Sequence, residues 1–438
     1  MEQKINQVIN QALDMVKPTN GVQKITQEIL KIAEETVESR VRCLLVGSVA
    51  RGTWLRGKYD VDLFMAFPED IPLEELEEVG LKLAKKIGEK LAKKWSGQVV
   101  ERYADHPYIK VLFNEFEVDI VPCYDVKDPS HIRSPVDRTP HHNEYVMRYI
   151  KGKEDEVRLL KQFLIGAGLY GSELKRMGYS GYLCELLIIY YGSFIECIKA
   201  MAKWRRGTVI DIEKHGTRKH RDPLVVVDPV DPKRNVASAL SLDNFAKSIH
   251  HARQFLKNPS IEFFIEKDEM PELDFSRGTQ YIEIEFAKPD ISDDILYPQI
   301  YKAMDSFERL LASEGFRTYS KKVCEREGFV GILFELEVFE LPNVRKHIGP
   351  PVDERAHAER FYEKYSRNAH TLSDVYIERG RYCVDLRRKY TKAHELLIER
   401  MRECSLGKHL KEYLPENAKV LVGKDIIEKG KVFRQVNP

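Results

Sequence analysis

The chain has 438 residues, which at the usual ~100–200 residues per domain divides into two to four domains. Lys and Arg number 70 against 69 Asp and Glu, a formal charge of +1, so a strongly basic nucleic-acid-coating chain is excluded and any such site is a local patch. Hydrophobic residues make up 43% and charged residues 32%, and seven cysteines without a C-x-x-C pair read as reduced thiols of a cytoplasmic protein, excluding a disulfide framework and a zinc site.

Residues 1 to about 40 read as two helices. The first, "MEQKINQVINQALDMVKPT", is amphipathic and broken by Pro18, unlike a signal peptide, and no later run reaches the roughly 20 apolar residues of a membrane span. The second, "TQEILKIAEETVESR", starts at a Thr cap. A strand at 42–47, a Gly-Ser turn and a strand around 60–67 follow, then a charged helix at about 73–95 and three short strands, "QVVERYA", "YIKVLF" and "EFEVDIVPCY". Helix and strand mixed in this way predict an α+β or mixed-sheet domain over residues 1–145. Residues 146–262 read as mainly helical, with "SGYLCELLIIYYGSFIECIKAMAKW" as their most apolar stretch; a basic loop and the strand-turn "LVVVDPVDPKRNVA" interrupt them. "KNPSIEFFIEKDEMPELDFSRG" looks like a linker into a third region, 263–438, whose β-α-β-β-α-β order predicts a ferredoxin-like split. Its second helix falls on "ERAHAERFYEKYSRN" and its fourth strand on "RYCVDLRR".

The passage "GSVARGTWLRGKYDVDLF" carries the chemistry. Side chains alternate along a strand, so Asp60 and Asp62 share a face while Val61 and Leu63 take the other. Two parallel carboxylates repel unless a cation lies between them, and hard oxygen ligands suit Mg²⁺. Asp119, flanked by Val118, Ile120 and Val121, supplies a third carboxylate in a run too apolar to hold it without a partner. Three such groups can hold two ions about 3.5–4 Å apart, as in phosphoryl transfer. Gly47 then permits close backbone approach, Ser48 opens a turn suited to terminal phosphates, and Arg51 adds charge.

"GSVARGTW", "YDVDLF" and "VDIVP" resemble the catalytic core of the polymerase β-like nucleotidyltransferases. With "VDRTPHHNEY", "EVRLLKQFL", "YSGYLCELLIIYYGSF" and "VVVDPVDPKRNVA" the chain resembles the archaeal, class I CCA-adding enzymes over nearly its whole length. The resemblance implies template-free addition of C, C and A to the 3′ end of tRNA from CTP and ATP with Mg²⁺. It implies that Asp60, Asp62 and Asp119 are the catalytic, metal-binding carboxylates, and that Gly47, Ser48 and Arg51 bind the triphosphate. It further implies that His142, Lys161, Tyr170 and Arg234 contact the incoming nucleotide. The residues alone do not choose between His141 and His142, and they leave Lys161 on an amphipathic helix and Arg234 in a proline-fixed turn, where solvated side chains are ordinary. A homodimer, and contact with the acceptor stem and T-loop of tRNA, are family expectations.

Cations for that RNA are offered by Lys203, Arg205, Arg206, Lys214, Arg218, Lys219 and Arg221, against only Asp211 and Glu213, and by "NVRKH" near Arg345 and "LRRKY" near Arg387. Phe316, Tyr319 and Phe329 are candidate RNA-facing aromatics. Two readings compete: a poly(A) polymerase-like enzyme, separable by the nucleotides consumed, and a catalytically silent RNA-binding protein, which has no use for three clustered carboxylates.

Overall fold

The first sheet is organised around the strand that bears the paired aspartates. The computed structural model describes residues 2–18, 21–57, 59–103, 107–216, 220–266, 273–326, 328–428 and 434–436, which fall into two units, Met1–Lys267 and Asp268–Pro438.

In the first unit α1 (Glu2–Val16) and α2 (Val22–Glu34) precede β1 (Arg42–Val46), a one-turn helix α3 (Gly47–Ala50) and β2 (Tyr59–Phe67). Then come α4 (Leu73–Trp95), β3 (Gln98–Tyr103), β4 (Pro107–Phe113) and β5 (Phe116–Tyr124). The sheet order is β1-β2-β5-β4-β3, with β2 and β5 parallel and the other pairs antiparallel. This is the expected mixed sheet. Helix α4 lays Leu76, Ala84, Ile87 and Leu91 along one stripe, the helical period, against β4 and β5. Burying each Leu or Ile of that stripe contributes roughly 1.5–3 kcal/mol. Thr26, expected to cap α2, lies inside it and donates to the Gln23 carbonyl at 3.0 Å. The apolar period reaches back to buried Val22, so the helix starts earlier.

The helical part follows: α5 (Arg138–Ile150), α6 (Glu154–Gly166), α7 (Gly181–Tyr191), α8 (Phe194–Met201), the short parallel pair β6 (Thr208–Ile210) and β7 (Leu224–Val226), and α9 (Leu242–Lys257). The most apolar stretch forms two helices, α7 and α8, bent by 97° at their junction. Gly192, at φ +87°, ends α7, and the Ser193 side chain accepts the Glu196 N–H to start α8. Both bury in one cluster with Val157, Leu160 and Phe163 of α6. Helix α1 adds Ile5, Val8 and Ala12 to this same cluster, and Phe264, in the segment expected to be a linker, is fully buried there. Among the described residues no single helix is long and apolar enough to cross a membrane. All seven cysteines are free thiols, six of them buried.

The second unit contains β8 (Gln280–Ala287), α10 (Asp293–Glu314), β9 (Arg317–Arg326), β10 (Phe329–Val338), β11 (Val344–Pro351), α11 (Arg355–Tyr365), β12 (Tyr376–Glu378), β13 (Arg381–Arg387), α12 (Ala393–Arg400), α13 (Lys408–Asn417), β14 (Lys419–Val422) and β15 (Arg434–Val436). Its larger sheet is antiparallel, in the order β14-β8-β10-β9-β15. The first four strands have the ferredoxin-like arrangement, but the elements that complete it are not those expected. Strand β13 pairs instead with β11 and β12 in a separate three-stranded sheet. Helix α11 covers that sheet, stacking Phe361 on His347 with ring centroids 5.4 Å apart. Helices α12 and α13 pack on α10, and β14 takes the fourth position. Strand β14 has four residues and no fully buried position, too weak a pattern to find in sequence. On β8, Ile282, Ile284 and Phe286 join the core with Ile300, Phe307 and Leu311 of α10. Glu283 and Glu285, on the opposite face, are also buried, and both bind Arg326.

Candidate active site

Parallel pairing of β2 with β5 places Asp62 opposite Asp119 and Asp60 opposite Glu117. The expected three carboxylates therefore gather on one sheet face, with Asp60 at the exposed edge and Asp62 and Asp119 half-buried. Burial, then the charges of Asp119 and Asp60, push the Asp62 carboxyl up to about 7. Burial also raises Asp119, against the opposing pull of Lys110. Lys110, across the sheet on β4, lies 3.1 Å from Asp119 Oδ1 and 2.7 Å from Glu117. Burial would lower its ammonium, but Glu117 and Asp119 hold it above the ordinary lysine value. Asp119 Oδ1 is nonetheless buried without a hydrogen bond of good geometry. As the side chains stand, no three described His, Cys, Asp or Glu groups close into a metal cage. The donor set itself fits a hard divalent cation: only carboxylate oxygens, with a mutual repulsion that disfavours ionisation until a cation offsets it.

Gly47 is fixed by Asp62. Its φ is +74°, and an added Cβ would stand 1.8 Å from Asp62 Oδ2. Gly47→Ala is therefore expected to displace the Asp62 carboxylate and to destabilise the first unit by roughly 1–3 kcal/mol, read from the denaturation midpoint. An unchanged midpoint would contradict this close approach. Ser48 is half-buried, and its carbonyl accepts the Thr53 N–H at 2.9 Å, closing the loop that presents Arg51.

Arg51 is not the open surface cation its sequence position suggests. Its side chain is 6% exposed and pairs at 2.5 Å with Glu185, itself 1% exposed. Its Nε donates to Asn143 Oδ1 at 2.9 Å, and its guanidinium lies 5.7 Å from the Tyr182 ring centroid. The other Glu185 oxygen accepts from Thr53 Oγ1 at 2.6 Å. Lys161 is likewise buried, not solvated, and donates to the Thr53 carbonyl at 3.0 Å; burial lowers its ammonium while Glu185 raises it. Tyr170 and Lys161 both approach Gly181, where an added Cβ would stand 3.2 Å from the tyrosine oxygen and 3.5 Å from Nζ.

The histidine that points inward is His142. It is 9% exposed, stacks on Tyr182 at 4.3 Å, and donates from Nε2 to Asp228 Oδ2 at 2.9 Å. Arg234 Nη1 donates to the same oxygen at 2.9 Å. Burial would raise Asp228, but bonds from His142, the Val230 N–H and Arg234 hold it down at about 2. Burial lowers His142 despite that bond. The sequence-predicted residues Arg51, His142, Lys161, Tyr170 and Arg234 thus belong to one connected set. Sequence reading missed its connectors: Thr53, Asn143, Tyr182, Glu185 and Asp228. Glu185 had a signal, as the only carboxylate in "GYLCELLIIYY".

Of the basic loop, Lys203, Arg205, Arg206, Lys214 and Arg221 are exposed, whereas Arg218 and Lys219 lie outside the described residues. Glu213 accepts from the Tyr145 hydroxyl, and Asp211 binds the N–H groups of His215 and Gly216. In the second unit Arg345 pairs with Glu314 at 3.6 Å. Phe316 is 1% exposed and belongs to the core, which corrects its assignment to an RNA surface. Tyr319 is 58% exposed beneath the Arg277 guanidinium.

Family models described as a nucleotidyltransferase domain, as the second domain of tRNA nucleotidyltransferase and as the C-terminal domain of CCA-adding enzyme match residues 26–142, 155–265 and 277–423. The CCA-adding enzyme of Methanosarcina acetivorans is 42% identical over 441 residues, 97% of this chain and 94% of that protein. That of Archaeoglobus fulgidus is 38% identical over 435 residues, 97% and 96% of the two. Among solved structures, the Cid1 poly(U) polymerase with Mg and 3′-dATP has a TM-score of 0.47 and 13% identity, covering 61% of this chain and all of that one. That likeness is too remote to carry a functional conclusion.

Proposed function

We propose residue roles from this premise: the chain belongs to the CCA-adding enzymes, and it extends the 3′ end of tRNA with C, C and A without a template. The observation that supports these roles best is the register that puts Asp62 beside Asp119 with the Gly47 backbone against the Asp62 carboxylate.

In this reading Asp60, Asp62 and Asp119 hold Mg²⁺. When bound, the ions supply charge for the triphosphate and its leaving group and acidify the attacking hydroxyl. The terminal ribose 3′ oxygen, its proton released to solvent, attacks the α-phosphorus in line; a new P–O bond forms, the bond from the α-phosphorus to the bridging oxygen breaks, and pyrophosphate departs. Lys110 keeps the Asp119 carboxylate oriented. Gly47 and Ser48 leave backbone room for the phosphates, while the Arg51 guanidinium, balanced by Glu185, and the Lys161 amine lie beneath them within the protein as fixed hydrogen-bond donors. Glu185 holds Arg51 and Thr53 holds Lys161, so that neither collapses onto the carboxylates. Tyr170 lines the sugar end of the pocket, and His142 and Arg234 face the base.

Residues 1–145 then carry the chemistry, residues 146–262 complete the nucleotide pocket, and 263–438 hold the acceptor stem and T-loop, all in the cytoplasm. Exposed Lys203, Arg205 and Arg206 extend the RNA path. The test uses full-length protein, tRNA lacking its 3′ end, Mg²⁺ and labelled CTP or ATP, alone and together. Two C additions followed by one A are expected, absent in Asp60→Ala/Asp62→Ala. Long A tails would move the enzyme to the poly(A) class, and bound tRNA without incorporation would leave only a binding protein.

A further inference from the structure

We infer that Asp228 is the positioning residue for base selection: one fully buried carboxylate holds Arg234 and His142 at a fixed separation, so that the base meets a rigid edge. The inference rests on the base-facing role proposed above for these two residues.

The two carboxylate oxygens have divided duties. Oδ1 accepts the N–H groups of Val230 at 3.0 Å and Asp231 at 3.4 Å, and the Tyr182 hydroxyl at 3.3 Å, so it shapes the loop. Oδ2 accepts Arg234 Nη1 and His142 Nε2, both at 2.9 Å, so it arranges the site. The Asp228 N–H also donates to the Arg234 carbonyl at 3.1 Å, closing the Asp228–Arg234 loop, and Arg138 ties Asp231 at 3.2 Å. Asp228 is 0% exposed, whereas the Arg234 side chain is 37% exposed. The guanidinium therefore keeps donors open to solvent while its Nη1 is anchored. A long flexible arginine with one anchored edge presents its remaining donors in one orientation, the condition for telling one base from another.

Asp228→Asn separates the duties. The side-chain oxygen can still accept the Val230 N–H, which turns the amide nitrogen toward Arg234 and His142. Against neutral His142 this can be accommodated, but against the guanidinium it sets donor against donor. Arg234 is released and the loop remains.

The test measures kcat/KM for CTP against UTP at the first addition to full-length enzyme, in wild type, Asp228→Asn, Arg234→Ala and the double variant. Asp228→Asn is expected to lower the discrimination ratio roughly tenfold, and to add less than about twofold in the Arg234→Ala background, because both changes remove the same edge. Circular dichroism melting accompanies each measurement. If Asp228→Asn does not accumulate folded, Asp228→Glu, which shifts the acceptor by one methylene, serves the same cycle. Multiplicative losses in the double variant would show a separate structural role and overturn the inference, as would unchanged discrimination in Asp228→Asn. If Arg234→Ala itself leaves discrimination intact, the proposed base-facing role falls and this inference with it; if only the Asp228 arm is silent, the role of Arg234 stands.

Discussion

Asp62→Asn is expected to abolish nucleotide addition while making the protein more stable at neutral pH. The loss should reach at least ~10³-fold, about 4 kcal/mol of barrier, because Asp62 is the carboxylate set both opposite Asp119 and against the Gly47 backbone. The stability effect follows from the carboxyl being held at about 7 in the fold against an ordinary 3.8. Below 3.8 both states carry the proton. Between 3.8 and about 7 the unfolded chain ionises and the folded one does not, so stability falls as pH rises through this window, by up to roughly 4 kcal/mol. Asparagine cannot ionise and removes that slope. Trp54, Trp95 and Trp204, the only three tryptophans, all lie in the first unit, so denaturant titrations followed by their fluorescence read this unit alone. Parallel pH–stability curves for wild type and variant between pH 4 and 7 would refute the account. In wild type, added Mg²⁺ should flatten the slope by binding the ionised form.

Breaking the Arg51–Glu185 pair from one side is expected to have the largest effect on folding. Glu185→Ala leaves a buried guanidinium without a counter-charge and Thr53 Oγ1 without its acceptor, at a cost of roughly 3–5 kcal/mol. Replacing both partners by apolar residues, Arg51→Met with Glu185→Leu, should recover most of that stability, since the remaining Lys161 is already pushed toward its neutral form by burial. It should not recover nucleotide addition. The same fluorescence titration decides: a cost below about 1 kcal/mol for Glu185→Ala would mean that water reaches the pair.

The carboxylates were legible in the sequence because the strand period is two and local: Asp60 and Asp62 could only share a face, and Asp119 stood out in an apolar run. What holds the cations was not legible. Arg51 and Glu185 are 134 positions apart, and nothing in either neighbourhood names the other. Lys161 looked solvated because its helix has charged neighbours, yet α6 is surrounded by α1, α7, α8 and the Phe264 turn. The ferredoxin-like order was readable, but α11 and β13 offered a stronger local pattern than α13 and β14 and drew the assignment away from the elements that close the sheet. At Asp228 the apolar strand and the turn were visible, while its role as a shared acceptor depends on α5 and α7 arriving from elsewhere.

The placement of β14 beside β8 has a consequence for how the chain is made. Strand β8 begins at Gln280 and its partner at Lys419, so during synthesis one edge of β8 stays open while more than a hundred further residues emerge. The contacts that define the first unit, by contrast, all lie within residues 1–267 and can form earlier. The order of synthesis therefore allows the two units to form in two stages. The first delivers the nucleotide pocket, and the second waits on a four-residue strand that shields the edge until then exposed to chaperones and to other nascent chains.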